Sequence, residues 1–177
     1  MMLALSRTLV CAAALLAIPA PGHADVTAKD VQVAARTFGF LATKPTGSLT
    51  LAIVYAPAIA DSKAEADALS GLLGSGLAAG GVTLVPSLVP VDQLAKLAGA
   101  GAVFVTAGLS AHQDAVFAAA KAAKLLTIAT DMGCVQSGKC VLGVRAEPKV
   151  QIVVNKAAAE ACQIGFQPAF RMMISEI

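Results

Sequence analysis

Short apolar runs alternate with helix-forming segments along most of this chain, and that alternation constrains its fold more than any other feature. The runs SLTLAIVY (48–55), AVFVT (102–106) and LLTIAT (125–130) are nearly continuous and rich in β-branched residues, as expected of strands buried on both faces. Helical segments and short loops separate them. The pattern predicts a mostly parallel sheet with helices on both sides.

The predicted helices carry their own start and stop signals. The opening helix begins near Thr27, with Asp30 three residues later as in a capping box. Residues 61–80 form a second helix that starts at Asp61 or Ser62 and stops at the following glycines. Residues 110–124 form a third, for which Ser110 is the expected N-cap.

The order changes towards the C-terminus. CVLGVR and KVQIVVN are separated by AEP, which suits an antiparallel hairpin and is too short for a parallel crossover. An earlier strand, VTLVPSLV (82–89), lies between the first two apolar runs and contains Pro86, which favours a sheet edge or a bulge. In PAFRMMISEI, one helical face is expected to carry Phe170, Met173, Ile174 and Ile177. The sequence therefore predicts a three-layer αβα single domain, mostly parallel and ending in an antiparallel hairpin, over residues 25–177.

The N-terminus predicts export. Arg7 precedes the apolar run TLVCAAALLAIPA, which is too short to span a bilayer, and PGHA then offers small residues at Gly22 and Ala24. We expect a signal peptide over residues 1–24 and a periplasmic protein. The chain has 13 Lys and Arg against 11 Asp and Glu without a basic cluster, so no nucleic-acid partner is expected.

In an oxidising compartment, the cysteines after the predicted leader should pair. Cys134 and Cys140 flank VQSGK, whose Ser-Gly lets the chain turn back, so a Cys134–Cys140 disulfide is preferred. A longer ring from Cys162 to either of them is the alternative. Cys162 lies on the apolar side of a predicted helix, where a reduced, buried thiol packs as a small hydrophobic group.

The residue types needed for most catalysis are sparse. His112 is the one histidine beyond the predicted leader, the five-residue gap between Cys134 and Cys140 is wide for zinc, and the G-x-S-x-G nucleophile motif is absent. We therefore expect a non-enzymatic protein without a metal or another cofactor.

A ligand would be expected at the carboxyl ends of the parallel strands. The residues there, small or polar and close to helix N-termini that favour anionic groups, are Tyr55, Thr106, Ser110, Thr130 and Asp131. They are the candidate binding residues for a small polar or anionic ligand. The alternative is that they only cap helices and turns.

Two segments resemble a known family. VFVTAGLS…AVFAAAKAAKLLTIATDMG and VQIVVNKAAAEACQIGFQPAFRMMISEI are similar to the YfiR-like family of small periplasmic proteins, with Asn155 at the family's strand-to-helix turn. The resemblance implies a homodimeric regulator that represses a membrane diguanylate cyclase, and hence cyclic-di-GMP signalling, by binding its periplasmic sensor domain. It also implies a response to redox state through disulfides.

A second resemblance suggests a different function. LTLAIVYAPAIADSKAEADAL and AGAVFVTAGLSAHQDAVFAAAKAAKLLTIATDMG are similar to one lobe of the periplasmic binding proteins that serve ABC transporters. Those proteins close two lobes over a ligand, whereas this chain is long enough for one. The alternative function is therefore a small periplasmic ligand-binding component.

Overall fold

A computed structural model describes residues 26–177, so the predicted signal peptide lies outside the described residues. One eight-stranded sheet has the order β2-β3-β1-β4-β5-β6-β7-β8. Its strands are β1 (Gly47–Tyr55), β2 (Leu77–Ala79), β3 (Val82–Pro90), β4 (Ala102–Val105), β5 (Leu126–Ala129), β6 (Leu142–Arg145), β7 (Gln151–Val154) and β8 (Ser175–Glu176). The five central strands are parallel to one another; in sheet order they are β3, β1, β4, β5 and β6. Strands β6 and β7 form the predicted antiparallel hairpin.

Helices cover both faces of this sheet, which confirms the three-layer prediction. They are α1 (Ala28–Thr37), α2 (Ala60–Leu73), α3 (Gln113–Ala122), α4 (Met132–Gln136), α5 (Lys156–Ala161) and α6 (Pro168–Arg171), with 3-10 helices at Phe38–Phe40 and Leu94–Gly99. α1, α2 and α5 pack on one face, and α3, α4 and the second 3-10 helix pack on the other. Between residues 26 and 177, no helix has the length and apolar character needed to cross a membrane.

β1 shows why the central runs contain so few polar residues. Leu51 and Ile53 enter the core beneath α1 and α2, whereas Ala52 and Val54 enter the opposite core beneath α3. Because successive side chains of a strand point to opposite faces, a strand covered on both sides needs apolar residues at every position.

The second predicted helix is too long. α2 ends at Leu73, and Gly74 and Gly76 adopt positive φ values of 54° and 149°, conformations that break a helix. The chain then forms β2, which pairs antiparallel with the first residues of β3. Because β2 pairs only as far as Leu84, Pro86 lies where β3 has a single neighbouring strand, as the edge prediction required.

The predicted C-terminal helix is also wrong beyond Arg171. Phe170 is buried and stacks on Phe40 with ring centroids 5.0 Å apart, but Met173 on the same expected face is 66% exposed. The last residues form β8 instead, and Ile177 exchanges backbone hydrogen bonds with Val154 and Lys156. Pairing at the edge of the sheet thus overrides the helical periodicity of this segment.

Candidate functional site

The candidate site lies where the direction of strand connection reverses. From β1 the chain passes through α2 to β3 on one side, and β4 lies on the other side of β1. α2 covers one face of the sheet, and α3, which follows β4, covers the opposite face. The chain therefore leaves β1 and β4 towards opposite faces of the sheet. The carboxyl edge between these two strands, called the crevice below, is the usual ligand position in open α/β sheets.

Three predicted residues form one row across this edge. Val54 pairs with Val105, and Phe104 pairs with Ile128. The shared register therefore aligns the residues that follow the paired segments of adjacent strands, and these are Tyr55, Thr106 and Thr130. Because side chains alternate between the two faces along a strand, all three lie on the face that α2 covers.

Thr106 lies beneath the edge, with 2% of its surface exposed. Its hydroxyl donates to the Val54 carbonyl at 3.0 Å and lies 2.6 Å from the Ser62 hydroxyl, which must then be the donor of their shared hydrogen bond. Ser62 also accepts from the Ala56 N–H at 2.9 Å. Thr106 and Ser62 thus join the loops after β1 and β4 from inside the fold.

Glu65 is the residue that the sequence analysis missed. Glu65 is 9% exposed, and its carboxylate accepts from the Ala107 N–H at 2.5 Å and from the Thr130 hydroxyl at 2.7 Å. It therefore fastens the loops after β4 and β5 to α2. The available signal was its position: Glu65 falls on the buried face of α2, beside Ala66 and Leu69, where a charged residue needs partners.

Ser110 and Asp131 lie nearer to solvent. Ser110 is exposed and does not cap α3, which begins at Gln113 after an N-cap, His112, that makes no side-chain hydrogen bond. Asp131 is half-buried and is the N-cap of α4, accepting from the Gly133 N–H at 2.8 Å. Asp131 therefore caps a helix, as the alternative in the sequence analysis held. Its carboxylate keeps further lone pairs that can accept from a ligand.

The two long helices at the crevice begin without side-chain caps. α2 starts after Ile59, not at Asp61 or Ser62 as predicted, and Ile59 has no side chain able to accept a hydrogen bond. The first N–H groups of α2 and α3 are left for other partners. The loop after β4 passes close to the start of α2, since a side-chain carbon at Gly108, whose φ is 76°, would lie 3.1 Å from Ile59 Cγ2.

The predicted Cys134–Cys140 disulfide is present and joins α4 to the residues just before β6. Its Cα atoms are 5.3 Å apart, and both cysteines are buried. Between them, Lys139 contacts α3 through Asp114, with its Nζ 2.5 Å from the carboxylate. Because it joins Cys134 in α4 to Cys140 before β6, the disulfide fixes the path of the chain between them, and both cysteines are shielded from solvent.

Cys162 is free and buried, as predicted, and burial raises the pKa of its thiol. Within residues 26–177, no cluster of three His, Cys, Asp or Glu side chains could hold a metal ion.

No protein-family model matches this chain, and no curated protein is significantly similar to it. Solved structures do share its fold. A conserved domain protein from Vibrio cholerae matches with a TM-score of 0.60 and 15% identity, covering 84% of this chain and 59% of that protein. A Clostridium difficile substrate-binding protein with adhesive properties, in its ligand-free, open form, gives 0.56 and 17%, covering 73% and 54%.

A further match is an ABC domain from Streptococcus pneumonia in complex with L-Trp, with a TM-score of 0.53, 13% identity and coverage of 72% and 54%. This chain thus spans between one half and three fifths of the length of these structures. At such low identities the likeness establishes the fold alone.

Proposed function

We propose that this protein is a non-catalytic, exported binding protein that holds a small polar ligand at the crevice between β1 and β4. The observation that carries the proposal is the topological switch point between β1 and β4. The buried side chains of Ser62, Thr106 and Glu65 hold the loops there in place through hydrogen bonds. A rigid support of this kind keeps loop donors and acceptors in place for a ligand.

The chemistry of the crevice favours a ligand that carries an anionic group. The uncapped first turns of α2 and α3 present N–H groups and the positive ends of the two helices. Ser110 adds an exposed hydroxyl, and Asp131 adds a carboxylate that suits a donor group on the ligand. A small carboxylate that also carries an amine satisfies both kinds of partner.

The shared fold supports the same proposal. Among the matching structures, one is named a substrate-binding protein and another contains L-Trp. Since this chain spans little more than half of those proteins, it supplies one wall of an enclosing site. In our proposal a second copy of the chain, as a homodimer, supplies the other.

The test is the thermal shift produced by L-amino acids, short dicarboxylates and inorganic phosphate. At about 100 times Kd, a bound ligand adds about 2.7 kcal/mol to the free energy of unfolding. We expect Ser110→Ala/Asp131→Ala to abolish the shift given by the active compound. Because Asp131 is also a cap, each ligand shift is measured against the same variant without ligand.

Asn155→Ala is the matched control, because it removes a helix cap at the amino edge of the parallel strands, opposite the crevice, and should leave the ligand shift intact. An unchanged ligand response in the double variant would mean that these residues only cap and turn the chain.

A second candidate function is the periplasmic regulator that the YfiR-like resemblance implies, acting on the sensor domain of an inner-membrane protein such as a diguanylate cyclase. The observation that favours it is one hydrogen bond, from the Asn155 side-chain N–H₂ to the Val135 carbonyl at 2.9 Å. It joins the turn at Asn155, which belongs to the second segment of the resemblance, to α4, which begins at the end of the first segment.

Binding of a purified diguanylate cyclase sensor domain tests the regulator. Wild type and Cys134→Ala/Cys140→Ala are compared with and without reductant. Absence of binding under every condition would remove this candidate. Equal binding by both proteins would keep the regulator and limit the disulfide to a structural role.

A further inference from the structure

A groove runs beside the hairpin of β6 and β7, at the far end of the sheet from β2. Its volume is about 530 Å³, and Arg145, Lys149, Val150, Ile152 and Met173 are among the residues that line it. The groove lies at the same carboxyl edge as the crevice. Three interstrand spacings separate β7 from β4, which amounts to about 15 Å.

Exposed apolar side chains concentrate at this corner. Six large hydrophobic residues are exposed between residues 26 and 177. Two of them line the groove, Val150 at 47% and Met173 at 66%, and Met172, at 88%, is next to Met173 along the chain. Clusters of this kind mark contact surfaces, whereas single exposed hydrophobic residues are ordinary. Methionine also adapts to partners of irregular shape.

The charges at the groove are unbalanced. Glu147 is paired with Lys29, with Lys29 Nζ 3.3 Å from its carboxylate. Arg145 and Lys149, both exposed, take part in no ion pair among the described residues. Two cations beside an apolar surface therefore lack anionic partners, and an occupant with acidic and apolar side chains would supply them.

We infer that this groove binds an acidic, partly apolar segment of another protein. A second copy of this chain fits less well, because a two-fold contact through the same surface would bring two sets of Arg145 and Lys149 together. A membrane fits less well because the surface is concave and the acidic Glu147 is among the residues that line it. The bound segment would lie beside the ligand crevice, so one partner could contact both.

The test is a selection from a random dodecapeptide library on the immobilised full-length mature protein. We expect the enriched peptides to be rich in Asp and Glu next to Leu, Ile or Phe. Binding should weaken at least tenfold in Arg145→Glu/Lys149→Glu, and also as salt rises. Lys44→Glu/Lys96→Glu is the matched control, since it reverses two exposed charges elsewhere and should bind like wild type.

A second pair of variants tests the contribution of the exposed apolar side chains at the groove. Met173→Ser should weaken peptide binding, whereas Leu88→Ser, at an exposed position on β3, should not. Basic or uncharged enriched peptides, or equal binding by both charge-reversal variants, would overturn the proposal. So would binding to phosphatidylglycerol vesicles that requires Arg145 and Lys149, or self-association in sedimentation that Met173→Glu abolishes.

Discussion

The helices of this protein begin in two different ways. α1, α4 and α5 start with a side-chain oxygen, from Thr27, Asp131 and Asn155, that accepts from an N–H group of the same helix. α2 and α3 start at Ile59 and His112 without one. α6 is a single turn that begins at a proline. The self-capped starts at Thr27 and Asn155 also tie distant parts of the chain together, whereas the uncapped starts flank the crevice.

The difference separates groups that hold the fold from groups left for solvent or a ligand. An N–H group satisfied by its own chain contributes to stability whether or not a ligand is present. An N–H group at an uncapped start can gain a partner only from outside the helix. Substitutions at the two kinds of start should therefore affect different measurements.

The largest effect is expected at α1. Asp30 is buried, and its carboxylate accepts from the Thr27 N–H at 2.8 Å and from the Ala146 N–H, 116 residues away, at 2.6 Å. Asp30→Ala removes part of a cap and leaves a buried N–H group without a partner, so we expect a loss of about 3 kcal/mol in urea unfolding.

Asp67→Ala is the control for that measurement. Asp67 belongs to an exposed pair with Lys63 on α2, and its loss should cost less than about 0.5 kcal/mol. Equal losses in the two variants would contradict the view that α1 is fastened to the β6–β7 loop through Asp30.

Local signals in the sequence were enough to predict much of this arrangement. The capping box at Thr27, the buried central strands and the short link before β7 all depend on neighbouring residues, and the structure has all three. β2 and β8 were missed because each is short and exists through pairing with a strand elsewhere. Such pairing leaves no periodicity in the segment itself.

The site was predicted as an edge but not as a network. The carboxyl ends of parallel strands share one edge of a sheet, so Tyr55, Thr106 and Thr130 could be placed near one another from sequence. The partners of Thr106 and Thr130 could not, because Ser62 and Glu65 reach them only when α2 packs over that row. Ser62 was assigned to a cap because local hydrogen bonding is the ordinary role of serine near a helix start.

The next effect is expected at α5. Asn155 accepts from the Ala158 N–H at 2.9 Å and donates to the Val135 carbonyl at 2.9 Å. Asn155→Ala should cost about 2 kcal/mol, because it removes both bonds at a buried position. Asn155→Ser keeps an acceptor for the cap and should recover about half of that loss. If serine recovers nothing, the bond to Val135 is the one that matters.

A cap introduced at α2 would turn an uncapped start into a capped one. Ile59 has the extended backbone of a normal N-cap, with φ −106° and ψ 111°. Ile59→Ala and Ile59→Ser both lose the apolar contact, but serine can accept from α2, so we expect it to be more stable by about 1 kcal/mol. If the ligand uses the same N–H groups, Ile59→Ser should also bind it more weakly than Ile59→Ala. Equal stability of the two variants would mean that α2 gains nothing from a cap.

The smallest effect concerns the end of α5, where Cys162 is buried. Burial raises the pKa of its thiol above the ordinary value of 9.0, so the native protein keeps a proton that the unfolded chain releases. The contribution of this group to stability is therefore present below about pH 8 and falls as the pH rises through 9 towards the raised value.

Cys162→Ala lacks this dependence, and the other titrating groups are common to both proteins. The difference in unfolding free energy between wild type and variant should thus shrink between about pH 8 and pH 10, while iodoacetamide leaves the native thiol unmodified. A difference in unfolding free energy that stays constant with pH, together with rapid alkylation, would mean that the end of α5 opens to solvent even though Asn155 caps its first turn.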